Sequence, residues 1–253
     1  MKIQYCSDLH LEFRENKNWL KRNPLVIKGD ILLIAGDTFL FGKNFKDNSY
    51  FDYLSENFQQ VFLIPGNHEF YNGEDVGLCF QKNYELEIRE NVFLVNNIKK
   101  EIDAVEFLFT TLWSKIENEK FQISHRVNDF RKIFFKDSVL DIDRFNELFY
   151  FAWDFLKSEI QKESTKKRVV LTHHLPSKLC NSGFYKDSLL SEAFCVDLTE
   201  DILKSKIDFW IYGHSHDNIS DFKIGNTKML TNQLGYVRLE EHKDFRRDAF
   251  FEI

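Results

Sequence analysis

Short apolar runs of strand length recur along the chain. They are rich in Ile, Val, Leu and Phe and are bounded by Gly, Pro, Asp or Asn, which is typical of β-strands. The predicted strands cover residues 3–5, 31–35, 61–64, 92–95, 105–110, 169–172 and 209–212. Their hydrophobicity is continuous rather than alternating, so we expect strands that are buried on both faces.

Segments with helical spacing lie between these runs, at residues 45–59, 74–90, 141–162 and 189–205. Asp141 is a suitable cap for the third of them. After residue 212 come short strand-like pieces at 222–224, 229–231 and 249–253. Strands that alternate with helices and a strand-rich end predict a single α/β domain over residues 1–253, with mixed sheets. Residues 114–136 lack clean periodicity, and we expect this segment to be an excursion over the site.

Composition excludes several classes of protein. Of the 253 residues, 43% are hydrophobic and 29% are charged, with a net charge of −6, so the chain is neither disordered nor fibrous. An acidic balance gives no general attraction to nucleic acid or to an anionic membrane. The four cysteines show no CxxC pairing, and no signal peptide or membrane-length apolar run is recognisable. We therefore expect a cytoplasmic protein with no membrane partner.

The histidines are not scattered. Six of the eight follow apolar runs directly, in four short polar clusters: His10, His68, His173 with His174, and His214 with His216. Asp8, Asp37 and Asn67 stand beside them in the same positions after predicted strands. Because ligand groups gather beyond the carboxyl ends of strands in open α/β sheets, these side chains are expected at one rim of the fold.

Spacing indicates which of these side chains act together. Residues two apart in extended chain point the same way, so Asp8 and His10 can face one centre. Adjacent residues point oppositely, so we expect only one of Asn67 and His68 to bind an ion while the other faces a substrate.

The donors are oxygen and nitrogen without thiolate, which suits first-row metals: Mn²⁺ first, with Fe, Zn²⁺ or Co²⁺ as alternatives. Seven candidate ligands are too many for one tetrahedral ion. They suit two divalent ions roughly 3.5–4 Å apart that share a carboxylate. Asp37, alone on its turn, is the natural bridge.

The order of the motifs carries a resemblance. D-x-H at 8–10, G-D at 36–37, G-N-H-E at 66–69, a strand that ends in histidine at 173, and G-H-x-H at 213–216 together resemble the calcineurin-like metallophosphoesterase superfamily. The sequence around 112–113, 128–131 and 173–177 is similar to a bacterial subgroup of unassigned substrate. The resemblance implies a four-layer αββα sandwich of two mixed β-sheets flanked by helices.

The resemblance also implies the roles of the site residues. One metal takes Asp8, His10, Asp37 and His216, and the second takes Asp37, Asn67, His173 and His214. His68 matches the catalytic histidine that is not a ligand. The implied reaction is attack of a metal-bridged hydroxide on the phosphorus of a phosphoester, with His68 assisting the leaving group or offsetting charge.

Departures from the family pattern leave alternatives open. No arginine follows Asp37 or Glu69, which counts against a protein phosphatase and favours a small phosphodiester or broad-specificity substrate. A phosphomonoesterase is the alternative, followed by a nuclease and by a silent protein-binding scaffold. Either His173 or His174 can be the ligand. His174 and Arg131 are also predicted to contact substrate.

Overall fold

Two six-stranded sheets form the centre of the computed structural model, which describes residues 1–181 and 188–253. The strands of the first sheet are β1 (Lys2–Cys6), β2 (Ile31–Ile34), β3 (Gln60–Leu63), β4 (Tyr84–Arg89), β5 (Val92–Asn96) and β14 (Phe250–Glu252). Those of the second sheet are β6 (Ile98–Ile102), β7 (Val105–Phe109), β10 (Lys167–Leu171), β11 (Phe209–Tyr212), β12 (Phe222–Ile224) and β13 (Thr227–Thr231). A separate two-stranded ribbon pairs β8 (Phe134–Phe135) with β9 (Ser138–Val139).

The two large sheets share one plan. The first has the order β14-β1-β2-β3-β5-β4 and the second β12-β13-β11-β10-β7-β6. In each sheet the four central strands are parallel and the two edge strands are antiparallel to their neighbours. Each sheet therefore directs the carboxyl ends of its central strands to one edge.

Alternate residues of the strands enter two separate cores. Ile31 and Leu33 of β2 belong to a core between the sheets, whereas Leu32 and Ile34 pack on the outer side. Phe62 and Phe109, one from each sheet, meet across the interface with ring centroids 5.2 Å apart. Burial on both faces explains the continuous hydrophobicity of these strands. The predicted sandwich of two mixed sheets with outer helices is confirmed.

Helices cover the outer faces. They are α1 (Arg14–Arg22), α2 (Tyr50–Asn57), α3 (Lys120–Arg126), α4 (Asp129–Lys132), α5 (Ile142–Ile160) and α6 (Thr199–Lys204). The longest, α5, begins as predicted, because Asp141 accepts a hydrogen bond from the backbone N–H of Arg144 at 2.7 Å. No helix in the described ranges is both long enough and apolar enough to cross a lipid bilayer.

The predicted helix over 74–90 is wrong. Residues Val76–Phe80 form a short 3₁₀ helix, and Tyr84–Arg89 form the edge strand β4. Exposed Glu85 and Glu87 alternate with Leu86 and Ile88 in this strand, and this two-residue period is a strand signal that the sequence analysis overlooked. The sequence analysis also missed α1 and β6, because both are mainly polar and bury few side chains.

The inter-sheet core yields a stability prediction. Phe107 is fully buried there, so Phe107→Ala should lower the free energy of unfolding by about 3–5 kcal/mol, measured by urea denaturation. Phe250 on the edge strand β14 is 40% exposed, and Phe250→Ala should cost under about 1 kcal/mol. Equal losses for the two variants would contradict this account of the core.

Candidate metal centre

The candidate ligands stand at the carboxyl ends of parallel strands. Asp8, Asp37 and Asn67 follow β1, β2 and β3 of the first sheet, and His173 and His214 follow β10 and β11 of the second. Since the two sheets pack face to face with these ends on the same side, the loops meet at one edge of the sandwich. The site is thus built jointly by both sheets.

The backbone at this edge is strained in a consistent way. Five candidate ligands adopt left-handed conformations, with φ of 54° at Asp8, 47° at His10, 53° at Asp37, 78° at His214 and 56° at His216. Asp and His tolerate this region better than most residues, but the conformation still costs energy. Hydrogen bonds between the loops hold it, including His10 N to Asp37 O at 2.9 Å and His214 N to Asp8 Oδ1 at 3.1 Å.

One cluster consists of Asp8, His10, Asp37 and His216. The Nε2 atoms of His10 and His216 face each other at 2.8 Å, and His216 Nε2 lies 3.4 Å from Asp8 Oδ1. The Asp37 Oδ2 atom lies 3.8 Å from His10 Nε2. Two imidazole nitrogens and two carboxylates therefore converge on one point.

A second cluster consists of Asp37, His173 and His214, with Asn67 beside it. His173 Nε2 lies 3.4 Å from Asp37 Oδ1, 3.0 Å from His214 Nδ1 and 3.1 Å from Asn67 Oδ1. Asp37 thus contributes one oxygen to each cluster. Of the neighbouring His173 and His174, it is His173 that the structure brings into this cluster.

The rings are oriented by contacts on their far sides. His10 Nδ1 lies 2.9 Å from Glu12 Oε1, His216 Nδ1 lies 2.8 Å from Glu241 Oε2, and His173 Nδ1 lies 2.7 Å from the backbone oxygen of Ala35. Such contacts fix the tautomer and aim the other nitrogen inward, as in metal sites. A divalent cation therefore fits both clusters, because the inward atoms are lone-pair donors of O and N type.

Glu69 holds the loop that carries Asp37. Its buried carboxylate accepts hydrogen bonds from the backbone N–H groups of Asp37, Thr38 and Gly66 at 3.1, 2.7 and 2.7 Å. Burial and the neighbouring Asp37 raise the pKa of Glu69 to about 8. Gly66 is needed for space, since a Cβ there would lie 2.2 Å from Asp37 Oδ1.

His68 lies outside both clusters. Its Nδ1 is 3.0 Å from Glu12 Oε1, and its Nε2 is 3.1 Å from the hydroxyl of Tyr236. Its backbone N–H donates to Asp37 Oδ1 at 2.9 Å. Asn67 and His68 therefore face different partners, although they are adjacent.

Charge within the clusters shifts several pKa values. Burial disfavours the imidazolium form, yet Asp37 and Asp8 raise the pKa of His173 to about 9. His216 is likewise buried, but its contacts with Asp8 and Glu241 raise its pKa to about 10. His214 is held neutral, because burial and the neighbouring imidazoles lower its pKa well below the usual value.

A cavity of about 260 Å³ opens above the clusters. The described residues that line it include Asp37, Asn67, His68, His214 and His216 on the floor, and Tyr71, Arg126, Val127, Asn128, Asp129, Asn181, Ser188, Leu190, Ser191, Phe194, Ser215, Tyr236 and Glu241 around them. The segment at 114–136 supplies Arg126 through Asp129. In the part of the chain that the structure describes, Arg126 is the one lysine or arginine of this lining.

The calcineurin-like phosphoesterase family model matches residues 1–218, which contain every candidate ligand. The chain belongs to this family. It is therefore a phosphoester hydrolase by family.

Two known proteins are similar to this chain over nearly all of its length. An uncharacterized protein of Acanthamoeba polyphaga mimivirus is 33% identical over an alignment of 283 positions, which covers 99% of this chain and 96% of the relative. The crystal structure of phosphopantetheinyl hydrolase from Mycobacterium tuberculosis superposes with a TM-score of 0.70 at 16% identity, covering 96% of this chain and 92% of that one. The second likeness shows the shared fold.

Two predicted substrate contacts do not reach the cavity of this phosphoesterase. His174 is fully buried, with its ring 4.2 Å from that of His214 and 5.2 Å from that of Trp113. Arg131 is exposed, and its guanidinium donates to the backbone oxygen of His125. Of the two arginines on this segment, Arg126 lines the cavity.

Several residues at the site were missed from sequence. Glu12 lies two residues after His10, just as His10 lies two residues after Asp8. This spacing is a signal for Glu12, but the D-x-H motif ends at His10 and does not include it. Tyr71 and Asp129 lie on different loops, and only folding brings them together. Tyr236 and Glu241 come from near the end of the chain, beyond the matched residues, and no local pattern marks them.

The raised pKa values predict how cation binding depends on pH. Below about pH 9 we expect His173 and His216 of the metal-free phosphoesterase to be in the charged imidazolium form. An incoming cation must displace the second proton of each ring. We expect about two protons released per molecule at pH 7, and affinity for Mn²⁺ that rises with pH toward 9. Calorimetry in buffers of different ionisation enthalpy measures the release.

A matched control is His125→Ala, because His125 is exposed and belongs to neither cluster. This variant should release the same number of protons as the parent protein. Mn²⁺ affinity that stays constant between pH 6 and 8 would contradict the predicted protonation of the two rings.

Proposed function

We propose that this phosphoesterase is a binuclear metal-dependent hydrolase of a small phosphodiester, or of phosphoesters of broad specificity. The observation that carries the proposal is the sharing of Asp37 by two clusters of inward-facing O and N donors on the floor of one cavity. Two ions that share a carboxylate are the usual arrangement for in-line displacement at phosphorus.

Each cluster would hold one divalent cation. Asp8, His10, Asp37 and His216 would hold the first, and Asp37, Asn67, His173 and His214 the second. Bound cations of this kind lower the pKa of a shared water and offset charge on phosphoryl oxygens. We infer Mn²⁺ as the ion that suits this mixed set, with Fe, Zn²⁺ and Co²⁺ as alternatives.

His68 would handle the proton of the leaving group. Glu12 accepts from its Nδ1–H, which leaves Nε2 facing the cavity beside the Tyr236 hydroxyl. From there the imidazolium can donate a proton to the leaving oxygen, or a hydrogen bond to the phosphoryl group. Glu12 also contacts His10, so one carboxylate positions both rings.

The charges around the cavity bear on the substrate. Arg126 is its one described lysine or arginine, whereas Asp129 and Glu241 add negative charge to the wall. A phosphodiester carries one negative charge and a phosphomonoester close to two at pH 7. This balance favours the diester, and the small volume favours a compact substrate.

Removal and replacement of metal tests the proposal. Treatment with a chelator should abolish hydrolysis of chromogenic phosphodiesters and phosphomonoesters, and added Mn²⁺ should restore it, with faster turnover of the diester. Asp37→Asn should lose more than about 100-fold in rate, because it removes charge from both clusters at once.

The same variant should unfold at nearly the parent temperature, since the asparagine oxygen can still accept from His68 N–H. Loss of activity without loss of fold separates the chemical role from a structural one. Absence of hydrolysis with every divalent metal and both ester types would refute the proposal.

A pair of arginine variants tests the substrate contact. Arg126→Ala should raise KM about tenfold or more with little change in unfolding temperature, because a hydrogen bond to a charged group contributes about 1.5–3 kcal/mol. Arg131→Ala is the matched control on the same segment and should leave KM nearly unchanged. The reverse order of effects would assign the substrate contact to Arg131.

A further inference from the structure

We propose that Asp129 sets the orientation of the Asn67 carboxamide and thereby completes the second cation site. Asp129 is 1% exposed, and its Oδ1 accepts a hydrogen bond from Asn67 Nδ2 at 2.9 Å. The opposite end of the amide, Oδ1, lies 3.1 Å from His173 Nε2. The inference rests on the proposed function, because it concerns how one of its cations is held.

The two ends of a carboxamide differ in what they can bind. The oxygen offers lone pairs to a cation, whereas the NH₂ group offers only protons. A flip of Asn67 by 180° would turn the NH₂ group toward His173 and His214. The Asp129 oxygen that faces Asn67 accepts hydrogen bonds from both Asn67 and Tyr71, so it favours the orientation with Nδ2 toward it.

A second donor fixes the Asp129 carboxylate. The hydroxyl of Tyr71 donates to the same oxygen that accepts from Asn67, and it also lies within 3.0 Å of Asn67 Nδ2. The Tyr71 ring packs against His68, with centroids 4.0 Å apart. Asp129 therefore sits in a network that touches both a candidate ligand and the candidate catalytic histidine.

The alternative role for Asp129 is purely local, since it is the first residue of α4. An acidic residue there commonly stabilises the start of a helix. However, the side chain bonds to Asn67, 62 positions earlier in the chain, and to Tyr71, rather than to the first N–H groups of α4. Positioning of Asn67 by Asp129 explains the direction of these hydrogen bonds, whereas stabilisation of α4 does not.

Mn²⁺ binding to the metal-depleted full-length chain tests the proposal, with calorimetry resolving the two sites. Asp129→Leu replaces the carboxylate by a larger apolar side chain and so removes the acceptor, and it should weaken one of the two sites about 10–100-fold while the other stays unchanged. Asp129→Asn should lose less, because its oxygen can still accept from Asn67. Tyr71→Phe removes only the second donor to Asp129 and leaves the bond between Asn67 and Asp129 in place, so it should lose less affinity than Asp129→Leu.

An exchange of the two side chains provides the sharpest variant. Asn67→Asp alone sets two carboxylates against each other at the 2.9 Å contact and should bind the second ion poorly. The double variant Asn67→Asp with Asp129→Asn restores a donor and an acceptor in reversed order, and should recover the second site. Packing alone predicts no such recovery.

Two results would overturn the proposal: two undisturbed Mn²⁺ sites in Asp129→Leu, or no recovery in the exchanged pair. If Asp129→Leu fails to fold, as judged by its melting in the metal-free state, the exchanged pair and Asp129→Asn decide. Failure of the parent protein to bind any divalent cation would instead overturn the proposed function, so the two failures are distinguishable.

Discussion

The Asp37 carboxylate is the constraint on which the rest of the site depends. One of its oxygens faces His10 and the other faces His173, which come from loops of different sheets. To point both ways, Asp37 adopts a left-handed backbone of φ 53°, and Glu69 holds that loop from beneath. The same arrangement requires glycine at position 66, because a Cβ there would lie 2.2 Å from Asp37 Oδ1. The G-D and G-N-H-E motifs therefore describe one packed unit.

This arrangement requires two sheets with one plan. A single parallel sheet would bring only its own strand ends together. Here the loops after β1, β2 and β3 supply carboxylates, an amide and the His10 imidazole, and those after β10 and β11 supply the other imidazoles. Phe62 and Phe109 contact each other in the core between the two sheets. The apolar packing that stabilises the fold thus also fixes the distance between donors, and strained loops are tolerated where that packing is firm.

Site residues could be predicted from the sequence where they directly follow a predicted strand. They could not be predicted where folding alone brings a distant segment to the site. The strand ends carry their polar residues locally, so Asp8, Asp37 and His214 are recognisable from motif and position. Arg126 and Arg131 are five residues apart in one polar segment, and only the turn between α3 and α4 decides which of them meets the cavity. The edge strand β4 was mistaken for a helix, because its exposed glutamates interrupt the continuous apolar run that marks the central strands.

The two clusters are not equivalent, and the difference follows from their outer contacts. In the first cluster the far sides of His10 and His216 meet the carboxylates of Glu12 and Glu241, which adds negative charge behind both rings. In the second, His173 meets the neutral carbonyl of Ala35, and the further oxygen donor is an amide. Amide oxygens are weaker donors than carboxylates, so the second site has less electrostatic attraction for a cation. Its affinity must then depend more on how accurately its donors are held. The Asn67 amide loses its inward lone pairs if it flips, and its hydrogen bond to Asp129 opposes that flip.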